Sequence, residues 1–221
     1  MLETDVVWNR RTADAPILSE RAYNLSIGLV LLWGFAVNYI TVQSIPVEAI
    51  LALPSWGLMI GYFVSCLIGI SVYTKSDNPA VSFLGYNFVV LPMGVVLTPF
   101  IYSFDPEIVS QAMMMTSGFT GLMMCMGTLY PKFFLSLGRT LFFSLIGVII
   151  VEMIMGFVFG VSSSIIDWVV ALIFCGYIGF DWARANQIPR TLDNAVDSAA
   201  SLYIDIINLF IRILSILGRR D

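Results

Sequence analysis

Residues 199–217 read Ala-Ala-Ser-Leu-Tyr-Ile-Asp-Ile-Ile-Asn-Leu-Phe-Ile-Arg-Ile-Leu-Ser-Ile-Leu, an apolar run with Asp205 near its middle. About 20 helical residues cross ~30 Å of hydrocarbon, so this run is a membrane span. Its polar residues form a ladder with the residues just before it: Asn194, Ser198, Ser201, Asp205, Asn208, Arg212 and Ser215. The steps alternate four and three, which stacks every polar group on one face of a helix. Isoleucine, leucine and phenylalanine fill most other positions. A charge inside hydrocarbon costs roughly 2.5–3.5 kcal/mol on insertion scales and therefore faces the protein interior or a watery cavity. The polar face of this helix is thus expected to line a path.

Composition extends the reading to the whole chain. Of 221 residues, 58% are hydrophobic and 12% charged. That balance excludes a soluble domain and defines an all-α polytopic membrane protein. The net charge of -4, without a basic cluster, gives no sign of a nucleic-acid partner. Cys66, Cys125 and Cys175 each lie in apolar sequence and fit small buried hydrophobes better than a disulfide or zinc set. There is no histidine, which removes Ser-His and Cys-His catalysis and the HExxH zincins. No enzymatic activity and no cofactor are expected.

Seven spans are expected at Tyr23–Gln43, Ile50–Tyr73, Val81–Tyr102, Ile108–Leu129, Ser136–Gly160, Ser163–Ala183 and Ala199–Leu217. Residues 1–22 form a polar tail, 23–217 one transmembrane domain, and 218–221 a short C-terminal tail. The links are short, as at Val161–Ser162, except the polar Arg184–Ser198. Arg10, Arg11, Arg21, Lys75, Lys132, Arg139, Arg184 and Arg190 all fall on one side of this plan, which makes the N-terminus cytoplasmic. Seven full crossings then leave Arg219 and Arg220 on the wrong side. The alternative is a re-entrant last stretch; seven full spans are the favoured reading. Pro92 and Pro99 can kink the third span, and Gly57-Leu-Met-Ile-Gly61 is a GxxxG step suited to close helix contact.

Four acids fall within or at the ends of spans. Asp181 ends the sixth span and Asp205 lies in the seventh, so antiparallel packing across their link brings the two carboxyls together. Two carboxyls in contact do not both ionise cheaply and can share a proton. Such a pair is a proton-sensitive latch or a cation site; the bland alternatives are local pairing of Asp181 with Arg184, and of Asp205 with Arg212. Glu152, mid-span in Ile-Ile-Val-Glu-Met-Ile-Met, is a second pathway group or a carboxyl bonded to nearby backbone. Asp167 falls in a first helical turn, where the dipole favours a carboxylate. Met113, Met114, Met115, Met123, Met124 and Met126 crowd the fourth span; adaptable packing explains them more simply than copper(I) binding.

The run Ser201-Leu-Tyr-Ile-Asp-Ile-Ile-Asn-Leu-Phe-Ile-Arg-Ile-Leu resembles the Bax inhibitor-1 (transmembrane Bax inhibitor motif) family, whose members carry a near-identical Leu-Tyr-Leu-Asp-Ile-Ile-Asn-Leu-Phe signature. The upstream acid in Tyr177-Ile-Gly-Phe-Asp181 has the family's spacing, and the seven-span plan matches over nearly the whole chain. Gly94-Val-Val-Leu-Thr-Pro99 is a weaker echo. The resemblance implies six helices around a central seventh. It implies a pH-sensitive calcium leak with Asp181 and Asp205 as di-aspartyl sensor and calcium contact. It also implies restraint of cell death, or control of membrane proteases, through partners. Bacterial members place a basic latch at the end of the second helix. Here Lys75 stands nearest, and lysine lacks arginine's bidentate fork.

The leading expectation is therefore a calcium leak channel gated by protons on Asp181 and Asp205. Ser201, Asn208, Arg212 and Glu152 are candidates to line its path. Calcium is the transported ion, and lipid, protons and calcium are the partners. The competing expectations are a non-conducting regulator that binds a membrane protein, through Gly57 and Gly61 among others, and a proton-coupled cation exchanger. The expected location is a bacterial cytoplasmic membrane, as no retention signal ends the chain.

Overall fold

Prolines and polar caps set most helix starts. In the computed structural model, which describes residues 15–159 and 164–219, nine α-helices follow one another with no strand among the described residues. They are α1 (Glu20–Ser44), α2 (Val47–Leu51), α3 (Ser55–Lys75), α4 (Pro79–Tyr102), α5 (Pro106–Leu129), α6 (Pro131–Ser136), α7 (Gly138–Phe159), α8 (Ser164–Ala185) and α9 (Leu192–Gly218). Pro79, Pro106 and Pro131 open α4, α5 and α6, where the missing N–H costs no helical bond. Ser19 caps α1 by accepting from the Ala22 amide at 3.2 Å. Seven of the nine helices are long and apolar enough to cross a membrane. The short α2 and α6 lie between spans.

The seven expected spans are all present, with two main boundary corrections. The second starts at Ser55, not Ile50, because Pro54 interrupts the chain and Ile50 belongs to α2. The seventh starts at Leu192, seven residues before the expected Ala199, so most of the supposed sixth link is helix. Thr191 explains the early start: its hydroxyl accepts from the Asn194 amide at 3.1 Å, and Asp193 adds a carboxylate to the first turn. Asp205 is therefore the middle residue of a 27-residue helix. That helix is continuous and about 40 Å long, which replaces the re-entrant alternative. The link at Val161–Ser162, the expected span ends at Gly160 and Ser163, most of the N-terminal tail (with Arg10 and Arg11), and Arg220 lie outside the described residues.

The chain divides into two units. In the first, which runs to Ser103 and includes Ile188–Ser201, α4 packs against α1, α2 and α3. Its backbone meets that of α3 at Gly85 and Gly69: a Cβ on Gly69 would lie 2.5 Å from the Gly85 carbonyl oxygen. The expected GxxxG contact is elsewhere and is not made. Gly61 has nothing within 4 Å and Gly57 only Pro54. Pro92 and Pro99 sit inside a continuous α4. Pro92 leaves the Phe88 carbonyl without its helical partner, and Ser65 of α3 donates to it at 2.6 Å.

In the second unit, Phe104–Gln187 with Leu202 onward, α8 is the hub and packs on α5, α6 and α7. Gly127 of α5 approaches Gly179 of α8, where an added Cβ would lie 2.7 Å from the carbonyl oxygen. Gly138 and Gly176 make room for Phe180 and Leu141. These close approaches fix α8, and with it Asp181. Of the seven spanning helices α9 is the most enclosed, with 61% of its apolar window buried against 44% for each of the next two. The cysteines differ from the expected buried sites: all are free, Cys66 and Cys175 half-buried and Cys125 exposed. Met113, Met114 and Met115 are likewise exposed.

Candidate functional site

The site grows from two aspartates in the second unit. Asp181, one turn from the end of α8, is 8% exposed, and Asp205 of α9 is 6% exposed. Each carboxyl lies within electrostatic reach of the other. Two carboxyls hydrogen-bond only when one carries a proton, because an ionised carboxylate has no donor. Arg184, three residues after Asp181, pairs with it at 2.9 Å and lies over the Phe180 ring at 5.4 Å. With one shared proton, the two carboxyls and this guanidinium sum to zero charge. Tyr177, one turn before Asp181, lies close enough for its phenol to feel both acids. The group is a buried pair of carboxyls with a built-in counter-ion.

The other expected residues take separate positions. Asn208 donates to the Ile204 carbonyl of its own helix at 2.8 Å, and Ser201 is half-buried. Lys75 is exposed and makes no ion pair with a described residue; the cation beside Asp181 is Arg184 from its own helix. Arg212 does not pair with Asp205. Its fork closes on Glu152 of α7, at 2.5 and 2.9 Å, while one nitrogen also bonds Asp167 of α8 at 2.8 Å. Asp167 is further held by Arg219 at 2.8 Å, which accounts for that arginine's place at the end of α9.

Two buried acids stand outside the expected set. Asp193 accepts from the Ser82 hydroxyl at 2.6 Å, and Asp197 is 8% exposed. The signal was present: Asp197, Ser201 and Asp205 follow at steps of four. Reading residues 184–198 as a link hid it. No group of three or more metal-ligating side chains occurs among the described residues. Calcium takes 6–8 oxygens, more than the two aspartates supply.

A seven-span helical membrane protein with two neighbouring buried aspartates, one on α8 and one on its most enclosed helix, α9, is the class these features define. The profile of the family described as "Inhibitor of apoptosis-promoting Bax1" matches residues 18–221, and the chain belongs to this Bax inhibitor family. It is 32% identical over 169 residues to Bax inhibitor 1 of Schizosaccharomyces pombe, covering 74% of this chain and 62% of that protein. A protein of Deinococcus radiodurans is 24% identical over 213 residues, with 91% of this chain and 90% of the relative covered. A membrane protein of Streptococcus pyogenes is 31% identical over 135 residues, 58% of this chain and 59% of its own length. The chain thus spans less than two thirds of the yeast and streptococcal relatives.

Proposed function

We propose that this protein is a pH-sensitive calcium leak channel of a bacterial cytoplasmic membrane, its N-terminus cytoplasmic, with Asp181 and Asp205 as the proton sensor. The observation that carries this reading is the closeness of two buried carboxyls, Asp181 near the end of α8 and Asp205 at the midpoint of α9. A proton shared between them makes a hydrogen bond, and losing it leaves a repulsion between two carboxylates only partly offset by Arg184. The contact between α8 and α9 then weakens, and the freed oxygens become ligands for a passing cation. One proton thereby changes both the packing of α9 and the charge on its polar face.

The test is calcium flux into dye-loaded liposomes holding purified protein, measured across the near-neutral pH range beside Asp205→Asn. The amide can still hydrogen-bond Asp181 but cannot titrate. The expected outcome is pH-dependent flux in the wild type and flux without that dependence in the variant. An unchanged pH profile in Asp205→Asn removes the sensor. No flux above empty vesicles, with the protein folded and inserted, removes the channel. Protons moved in fixed ratio to calcium would make it an exchanger.

A second reading is a non-conducting regulator that binds another membrane protein. Its support is the open face around Gly57 and Gly61, which with Pro54, Tyr62 and Pro92 borders a cavity of about 380 Å³, and the family description, which names Bax1 as a target of relatives. A stoichiometric partner recovered by pull-down, with no flux from the pure protein, would select it.

A further inference from the structure

A second cluster of charge lies on α9 beyond the aspartate pair. Arg212 follows Asp205 by seven residues, two turns along the same face, about 10.5 Å further down the helix. Its side chain is 25% exposed, that of Glu152 30%, and that of Asp167 4%. Both nitrogens of the guanidinium fork are used on Glu152, and one is shared with Asp167. Arg219 holds the other oxygen of Asp167. Two arginines and two carboxylates cancel, and three helices (α7, α8 and α9) meet at one guanidinium.

Apart from Asn208, which is tied to its own backbone, and Ser215, the rest of that half of α9 before Gly218 is apolar. Leu209, Ile213 and Ile216 border a cavity of only about 90 Å³ with Phe119 and Trp168. They provide no oxygen ligand. The polar face of α9 after Asp205 therefore leads to Arg212. The two carboxylates there bond the same nitrogen, so they stand close enough to share a single cation. A cation other than the guanidinium meets them only where the fork withdraws.

We propose that Arg212 is a second gate in series with the aspartate pair, and that it sets selectivity by occupying the carboxylates a calcium ion would otherwise use. The inference rests on the leak reading, and deepens it. Arginine stays protonated at any working pH, so this gate answers to cations rather than to protons. A bidentate guanidinium–carboxylate pair holds its geometry better than a lysine ammonium would.

The experiment compares the wild type, Arg212→Gln, Arg212→Lys and the double variant Arg212→Gln with Glu152→Gln. Two readouts are taken: calcium flux in liposomes, and the change in thermal stability of detergent-purified protein on adding calcium chloride. Arg212→Gln is expected to raise flux about tenfold, equivalent to about 1.4 kcal/mol off the barrier, and to keep its dependence on pH. The double variant should lose most of the gain, and calcium should stabilise Arg212→Gln but not the wild type or the double variant. Wild-type flux and no calcium response in folded, inserted Arg212→Gln would overturn the gate and leave a structural brace. If Arg212→Gln does not insert, Arg212→Lys carries the test: a smaller gain supports the gate, and none overturns it. If no protein conducts while calcium still stabilises Arg212→Gln selectively, the leak reading falls and the cation site under Arg212 stands.

Discussion

Gly61 and Gly69 lie eight residues apart on α3, and alanine at each should act in opposite directions. Alanine in a helix interior is favoured over glycine by about 0.5–1 kcal/mol. At Gly61 nothing lies within 4 Å, so Gly61→Ala should keep that gain. At Gly69 the new methyl would meet the Gly85 carbonyl oxygen at 2.5 Å, and Phe88 Cβ and Val89 Cγ2 at 3.0 Å. A backbone oxygen cannot swing aside, so α3 and α4 must separate. Overpacking of this kind costs roughly 1–3 kcal/mol, and separation also stretches the 2.6 Å bond from Ser65 to Phe88. The net expectation for Gly69→Ala is a loss of up to about 2.5 kcal/mol, and a gap between the two variants of roughly 1–3 kcal/mol. Unfolding of purified protein by a graded detergent denaturant, followed by helicity, measures both. A Gly69→Ala protein as stable as the wild type, or a Gly61→Ala protein equally weakened, would refute the packing of α3 on α4.

Arg184→Gln should move the midpoint of the flux profile, because it removes the charge 2.9 Å from Asp181; Lys75→Ala, at an exposed position without an ion pair to a described residue, should leave the profile in place. The reverse pattern in the same liposome assay would return the latch to Lys75. Ser65→Ala should cost about 0.6–1.7 kcal/mol by leaving the Phe88 carbonyl unmatched opposite Pro92, read as a shift in the same unfolding curve. No shift would mean that lipid or α4 itself re-satisfies that carbonyl.

Hydropathy and spacing disclosed every span, because crossing hydrocarbon demands long apolar helices and little else. The face of α9 was legible for the same reason: a polar stripe repeating at three and four has few other meanings. Where α9 begins was not legible, since Thr191 and Asp193 read equally well as loop or as cap. That error concealed Asp193 and Asp197. Close packing was also hidden. Gly57 and Gly61 form the recognisable motif yet stand open, whereas Gly69 with Gly85 and Gly127 with Gly179 touch across pairs of helices. A contact between two chain segments has no signature in either one. The partners of Arg212 illustrate the same limit. Glu152 and Asp167 were visible as intramembrane acids, but only the packing of α7, α8 and α9 decides which cation each receives.

The polar face of α9 divides its labour by chemistry. Asn208 is neutral and tied to its own backbone, and Arg212 never loses its proton. Glu152 and Asp167 are each bonded to a guanidinium. Only the Asp181–Asp205 pair can form a bond that exists with one proton and vanishes without it. On the proposed reading, proton sensitivity belongs to one turn of the helix and cation discrimination to another two turns away, with no bonded partner in common. Substitutions at the two places should act independently: a variant that loses its pH response at Asp205 should keep its selectivity, and one opened at Arg212 should still answer to pH. A single residue controlling both would mean that the two clusters move as one body, and that the helix, not its side chains, is the gate.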